Sequence, residues 1–257
     1  MRVPFLSRTV LGLALLLTAV VPSSATDTPA FRVEPNPIAV GTFFRGGTVH
    51  VSGTLEPGTD VIVVITGRTT KETYNRKGRM GPFWATVGKV TIADVPVLYL
   101  IGSRTSVAGL LPPAAIDRHM VDLDALARRA TVEPASGDRA LLVGEYLKLK
   151  REQGVMGMFE DAVRISGSSR ERSFEAVIPW PATAPVGTYR VVVRHVQNGA
   201  VVGEHSQPLD VAYVGLPRVI ARMAFERSLA YGIVAVVIAL GVGLVMGLLF
   251  KKGTAGH

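Results

Sequence analysis

The chain contains no cysteine among its 257 residues. This absence excludes disulfide bonds, thiolate metal sites, a thiol nucleophile and a lipid anchor on an N-terminal cysteine. Any exported part of the chain must therefore be held together by its hydrophobic core alone. About 200 residues are enough for one such core, or at most two.

The motifs that mark common catalytic sites are also missing. The sequence has no Gly-x-Ser-x-Gly, no Ser-x-x-Lys, no His-Glu-x-x-His and no glycine-rich phosphate loop ahead of a helix. We therefore predict a protein that is not an enzyme and uses no cofactor. The positive charge excess is concentrated partly at the two ends of the chain, so it does not indicate nucleic-acid binding either.

Residues 1–25 have the pattern of a signal peptide. Arg2 and Arg8 supply the positive charge, and an apolar run of 12 residues follows at 10–21. An uncleaved membrane helix is the weaker interpretation, because such a run covers only ~18 Å of a hydrocarbon core about 30 Å thick. Small residues before the boundary predict cleavage after Ala25.

A second apolar segment, at 228–250, is long enough to cross a membrane. Its 23 residues carry no charge and would extend about 34 Å as a helix. Lys251 and Lys252 follow, in a tail at 251–257. Charge counting alone favours the reverse orientation, because three arginines precede the span: Arg218, Arg222 and Arg227.

The predicted signal peptide decides the orientation, since it commits the preceding region to export. The sequence therefore predicts a bacterial inner-membrane protein with one span. Its ectodomain, at 26–227, would lie in the periplasm, and the tail at 251–257 in the cytoplasm.

The ectodomain is predicted to be mainly β, an immunoglobulin-like β-sandwich with a helical insertion at about 113–153. Alternating apolar residues indicate strands before and after the insertion. Tyr189 opens a long strand as in a tyrosine corner, Asn198-Gly199 predicts a type I′ hairpin turn, and Pro57-Gly58 predicts another turn at hairpin-like distance. Two small domains joined by helices are the alternative.

Helical spacing identifies the insertion. One predicted helix has a single apolar face, made by Ile116, Met120, Leu123, Ala127 and Ala130. A second is predicted to be capped by Asp138 and ended by Gly154.

Two patterns in the sequence resemble metal sites. His195 and His205 share the hairpin around Asn198-Gly199, and in a regular ladder they point to opposite faces of the sheet, so they cannot bind one ion without a bulge. Met156 and Met158 resemble copper ligands, but thioethers without a nearby histidine favour core packing. We predict no metal site.

A basic segment with an aromatic end is the main candidate for binding. Arg76, Lys77, Arg79 and Trp84 lie close together, and Gly78 would let the chain turn. One interpretation is a solvated hairpin edge with Phe83 and Trp84 in the core. The other is a docking site for an anion, lipid headgroups or an acidic partner surface.

The predicted span has small residues at every fourth position, namely Ala235, Ala239, Gly243 and Gly247. They lie on one stripe of the helix, and small residues let two helices approach closely. Chance is the alternative, because glycine and alanine are common in spans. The stripe predicts association with a second copy or with another integral membrane protein.

The chain resembles a family of uncharacterised single-span transmembrane proteins from alphaproteobacteria. The resemblance rests on "GTFFRGGTVHVSG", "RKGRMGPFW", "VPVLYLIGSR", "IPWPATAPVGTYRV" and the C-terminal span. Phe83 and Ala85-Thr86 depart from the family pattern around the tryptophan, which weakens a binding role for that aromatic end. The resemblance implies a partner that exports sulfur-containing or other organic anions, a TauE/SafE-type permease.

These observations predict a membrane-anchored periplasmic accessory protein without catalytic activity. A periplasmic ligand or metal carrier is one alternative, and an envelope structural or adhesion module is another. The lipid bilayer is the one partner that the sequence itself requires.

Overall fold

A computed structural model describes residues 31–134, 138–168 and 172–251. The predicted signal peptide at 1–25 lies outside the described residues, as does nearly all of the tail at 251–257. The described chain is mainly β, as predicted.

Thirteen strands and six helices follow one another in the described residues. The strands are β1 Phe31–Glu34, β2 Ile38–Val40, β3 Gly47–Leu55, β4 Asp60–Thr66, β5 Thr69–Met80, β6 Phe83–Pro96, β7 Tyr99–Ser103, β8 Thr131–Glu133, β9 Met156–Phe159, β10 Val163–Gly167, β11 Arg172–Trp180, β12 Gly187–Gln197 and β13 Ala200–Tyr213. The helices are α1 Val107–Leu110, α2 Pro113–His119, α3 Leu123–Arg129, α4 Arg139–Glu152, α5 Leu216–Glu226 and α6 Ser228–Lys251.

Two sheets form a sandwich around the main core. The first has the order β1-β3-β11-β10 and the second β2-β13-β12-β4-β7-β9. Strand β4 contributes to two cores, because its run of β-branched residues is buried on both faces. Val63 packs in the core between the sheets, whereas Ile62 and Val64 pack in a second core on the outer side.

Two turn predictions had different outcomes. Gln197 pairs with Ala200, and both Asn198 (φ 49°) and Gly199 (φ 76°) have positive φ, as a type I′ turn requires. The turn at Pro57-Gly58 is present, but it carries the chain from one sheet to the other and joins no hairpin.

Tyr189 forms the hydrogen bond expected of a tyrosine corner. Its hydroxyl donates to the carbonyl oxygen of Pro185, and its ring packs edge-on against Trp180 with centroids 4.9 Å apart. Burial raises the pKa of Tyr189 to about 12, so the hydroxyl keeps its proton. The immunoglobulin-like assignment itself stays a prediction.

The helical segment packs on the outer face of the second sheet and supplies much of the second core. The prediction of one continuous helix through Met120 is wrong. Met120 has φ 50°, and the amide of Val121 donates to the carbonyl of Ile116, which closes α2 with a left-handed residue before α3 begins.

Helix α4 was predicted correctly in position, and Gly154 (φ 74°) follows its end. Asp138 stands at its start, as predicted, but its side chain makes no capping hydrogen bond. The carboxylate instead lies 3.6 Å from the guanidinium of Arg76 on β5. An ion pair between elements therefore takes the place of the predicted cap.

The C-terminal span is a helix, as predicted. In the part of the chain that the structure describes, α6 is the one helix long and apolar enough to cross a membrane, and the window Tyr231–Leu248 packs against no other part of the chain. Helix α5 precedes it and was not predicted.

Candidate docking site on the β5–β6 hairpin

The basic segment lies on a long hairpin formed by β5 and β6. The pairing runs from Thr69 opposite Pro96 to Met80 opposite Phe83. The base of the hairpin is extended to a three-stranded sheet by β8. The turn lies at Gly81-Pro82, so the expectation of a sharp turn at Gly78 is wrong: the chain continues through Gly78 as a strand.

Gly78 has a packing role in that strand. A Cβ at this position would lie 2.8 Å from both methyl groups of Val87. The absence of a side chain therefore allows the two strands to pair closely beside Val87.

The end of the hairpin has two chemically different faces, because residues directly opposite each other in an antiparallel pair share a face. Arg79 lies opposite Trp84, and Lys77 opposite Thr86. Met80 lies opposite Phe83 on the other face, with Gly78 and Val87. We call residues 77–87 the hairpin tip; it has one basic face with a tryptophan and one apolar face.

The apolar side chains of the hairpin tip are in solvent. Met80 is 61% exposed, Phe83 73% and Trp84 74%. The interpretation that places Phe83 and Trp84 in the core is therefore wrong. Aromatic residues favour strands, and many strands pack in a core. Among the described residues, however, the elements that cover the base of the hairpin do not reach these two side chains.

The cations of the hairpin tip are held by neutral groups. Lys77 Nζ donates to Thr86 Oγ1 at 2.9 Å, and Arg79 Nε donates to the carbonyl oxygen of Gly81 at 3.1 Å. Among the described residues, neither forms an ion pair with a carboxylate. Both charges are thus open to an external anion or an acidic surface.

Arg76 does not belong to this group. It lies on the opposite side of β5 from Lys77 and Arg79, and it pairs with Asp138 of α4. Of the four residues singled out in the sequence, the structure brings three together: Lys77, Arg79 and Trp84. Arg76 connects the hairpin to the helix.

A buried ion pair anchors the base of the hairpin. Lys150 Nζ of α4 lies 2.8 Å from Oε2 and 2.9 Å from Oε1 of Glu72 on β5. The same carboxylate accepts a hydrogen bond from Tyr74, whose ring packs edge-on against Tyr146. Burial, together with the Glu72 carboxylate, raises the pKa of both tyrosines, so both hydroxyls stay protonated.

An apolar cavity of about 330 Å³ lies between the hairpin base and α4. Its lining is formed mainly by Tyr74, Val90, Ile92, Leu142, Tyr146 and Leu149. This volume is at the lower end of the range for small-molecule sites.

The prediction that His195 and His205 face opposite sides of the sheet is wrong. Val196 pairs with Val201 but His195 pairs with Gly203, so Val202 is an extra residue in β13. This bulge reverses the alternation. Their rings meet edge-on with centroids 5.6 Å apart.

The histidine pair lies beside Leu55, Glu56 and Thr59 in an open cleft. Among the described residues, no group of three or more His, Asp or Glu side chains is placed to hold a metal ion. Met156 is buried in the second core and Met158 is exposed.

We expect the histidine pair to make stability depend on pH. Burial, and then the charge of His205, lowers the pKa of His195 below its usual 6.5. Between that lowered value and 6.5 the unfolded chain binds more protons than the folded chain, so the free energy of unfolding falls as pH falls. The midpoint of thermal unfolding should drop between about pH 7.5 and pH 5.5, and by less in His195→Gln. An equal drop in the variant would contradict this assignment.

The stripe predicted in the span is present on α6. Ala235, Ala239, Gly243 and Gly247 follow at four-residue intervals of one continuous helix. Among the described residues, no atom outside the helix lies within 4 Å of a Cβ placed at Gly243 or Gly247. The stripe therefore leaves room for a second helix.

The family comparison agrees with this architecture. A family model described as "Putative transmembrane protein (Alph_Pro_TM)" matches residues 30–252. The comparisons with curated proteins and with solved structures gave no match.

Proposed function

The chain belongs to this transmembrane protein family, and on that premise we propose that it is a membrane-anchored accessory protein without catalytic activity. Its ectodomain would sit in the periplasm and contact an integral membrane protein through the hairpin tip. The observation that carries this proposal is the exposure of Met80, Phe83 and Trp84 on a strand pair that also presents Lys77 and Arg79.

The composition of the hairpin tip suits a protein interface. Tryptophan, phenylalanine, methionine and arginine are enriched where proteins bind one another, and tryptophan and arginine dominate the binding energy. The paired strands hold these side chains in place before binding, so little conformational entropy is lost on contact. A partner protein with an apolar surface and an acidic edge would match both faces of the hairpin tip.

The span supplies a second contact in this proposal. The stripe at Ala235, Ala239, Gly243 and Gly247 would pack against a helix of the same partner or of a second copy. A TauE/SafE-type anion exporter is the partner that the sequence resemblance suggests. Recovery of the partner from membranes identifies it directly.

Photocrosslinking in native membranes tests the contact of the hairpin tip. A photoreactive amino acid at position 83 or 84 of the full-length protein should give a crosslink to one membrane protein, identified by mass spectrometry. The same amino acid at Val202, an exposed position on β13, is the matched control and should give none. The proposal would be overturned if positions 83 and 84 gave no crosslink, or if they and position 202 all gave crosslinks to many proteins.

Two serine substitutions on the apolar face measure its contribution. Met80→Ser with Phe83→Ser should reduce partner recovery about 30-fold, which corresponds to about 2 kcal/mol at an interface hot spot. Val202→Ser should leave recovery unchanged. Folding is expected to be intact because both tip residues are exposed. Full recovery with the double variant would show that the tip is not the contact.

Leucine substitutions on the stripe test the contact within the membrane. Gly243→Leu or Gly247→Leu should lower co-purification about tenfold, or about 1.4 kcal/mol, since the larger side chain separates the helices. Gly241→Leu is the control: Gly241 is equally open, but it lies off the stripe. Equal losses from Gly241→Leu and Gly243→Leu would point to a general effect of leucine.

The cavity beside the hairpin base favours one other function, that of a carrier for a small apolar ligand. Its lining is mainly apolar, with Asn75, Arg76 and Glu145 as the polar and charged residues. Native mass spectrometry of the purified full-length protein should then show a bound small molecule, and Leu142→Trp should displace it by filling the cavity.

A further inference from the structure

Helix α5 is amphipathic, and within the described residues most of its apolar face is exposed. Leu216, Val219, Ile220 and Met223 fall within an arc of about 100° at the helical repeat. The first three remain between 46% and 61% exposed. Arg218, Arg222 and Phe225 lie on the opposite side.

The position of α5 in the chain restricts what can cover this face. A single residue, Arg227, separates α5 from α6, and its backbone leaves helical values (φ −136°, ψ 53°), so α5 is not a straight extension of the span. Eleven residues of helix reach only ~16 Å from that junction. The headgroup region on each side of the hydrocarbon core is several ångströms thick. The C-terminal end of α5 therefore lies at the membrane surface, and the whole helix stays near that surface.

The charges of α5 match a lipid surface. Arg218 and Arg222 of α5 are exposed, as is Arg227 directly after it, and Glu226 is the one acidic residue of the helix. Glu226 is paired with Arg222 at 2.9 Å. Cations on one side and aliphatic residues on the other are the pattern of helices that lie in the membrane interface.

We propose that α5 lies flat in the membrane interface on the ectodomain side, with Leu216, Val219 and Ile220 among the lipid acyl chains and the arginines at anionic headgroups. This places a second membrane contact next to the span, independent of the hairpin tip and of any protein partner. It also places the end of β13 close to the membrane surface, since two residues, Val214 and Gly215, separate β13 from α5.

Spin labels measure this depth directly, since each single cysteine introduced into the full-length chain is the only one. Val219→Cys and Ile220→Cys report the apolar face, and Arg218→Cys and Phe225→Cys are the matched controls on the opposite side. The labelled proteins are reconstituted in phosphatidylcholine vesicles with about one quarter phosphatidylglycerol. Accessibility to oxygen and to a water-soluble nickel reagent then gives the depth of each label.

The expected result is a depth of about 5–10 Å below the phosphates for the apolar-face labels, and a position at or above the phosphates for the controls. Equal access of the nickel reagent to all four labels would overturn the proposal, because α5 would then stand in water. Protection of the apolar-face labels from both reagents would also overturn it, because protein would then cover the face. In vesicles of pure phosphatidylcholine the depth of the apolar-face labels should decrease. An unchanged depth would refute the contact between the arginines and anionic headgroups.

Discussion

Glu72→Ala should lower the free energy of unfolding by about 3 kcal/mol, because it leaves Lys150 without its partner in the second core. The side chain of Lys150 is only 10% exposed and that of Glu72 25% exposed, and the ammonium lies 2.8 Å from the carboxylate. Tyr74 also loses its hydrogen-bond acceptor. The effect belongs at the lower end of the range for buried pairs, since Glu72 keeps some contact with water.

Thermal unfolding of the full-length protein in detergent measures this loss, with an expected decrease in Tm of about 6–12 °C. The double variant Glu72→Ala with Lys150→Met should recover most of the stability, because it removes the unpaired charge. A double variant as unstable as Glu72→Ala would show that the carboxylate acts through contacts other than Lys150. Glu72→Ala should also weaken partner recovery, since the hairpin base loses its anchor to α4.

Phe174→Ala should lower the free energy of unfolding by about 3–5 kcal/mol. Phe174 lies on β11, opposite Gly53 of β3 and Ile165 of β10, and it is fully buried between the two sheets. Its removal leaves a cavity that two paired sheets cannot close without breaking their ladders. The chain has no cysteine, so no disulfide bond adds to the stability that remains.

Val177→Ala is the control for Phe174→Ala. Val177 lies on the same strand but on its outer, exposed face. Its replacement should change the stability by about 0.5 kcal/mol or less. Comparable losses from the two variants would mean that strand β11 is sensitive to any shortened side chain, and that the inter-sheet core is not what Phe174 stabilises.

Long periodic segments allowed most of the architecture to be predicted. The doubly buried β4, the type I′ turn at Asn198-Gly199 and the span all follow from local patterns that act over several residues. Irregularities of a single residue could not be predicted from such patterns. Met120 in a left-handed conformation divides a helix whose apolar spacing continues through it.

The bulge beside His195 shows why the candidate histidine site was misplaced. Side-chain direction along a strand is counted by alternation, and one extra residue reverses every later position. Val202 supplies that residue, and Gly203 beside it, a glycine inside a strand, is the one local sign of a bulge in the sequence. The exposure of Phe83 and Trp84 could not be predicted from the sequence, because it depends on how far the hairpin extends past the elements that cover its base.

Helix α5 could have been found from the sequence. Leu216, Val219, Ile220 and Met223 follow the three- and four-residue spacing of an amphipathic helix, and Pro217 stands in its first turn. Arginines beside a span can thus belong to an amphipathic helix as well as influence the topology.

The connection from β13 to the membrane is short: Val214 and Gly215, then α5, then Arg227. The β-rich part of the chain therefore stays close to the membrane, and it meets other proteins of the same bilayer by diffusion in two dimensions. Short tethers raise the effective concentration of a linked site to the millimolar range. Where the span is already packed against a partner, a contact of the hairpin tip with that partner would be occupied most of the time, even if it were too weak to survive dilution as a soluble fragment.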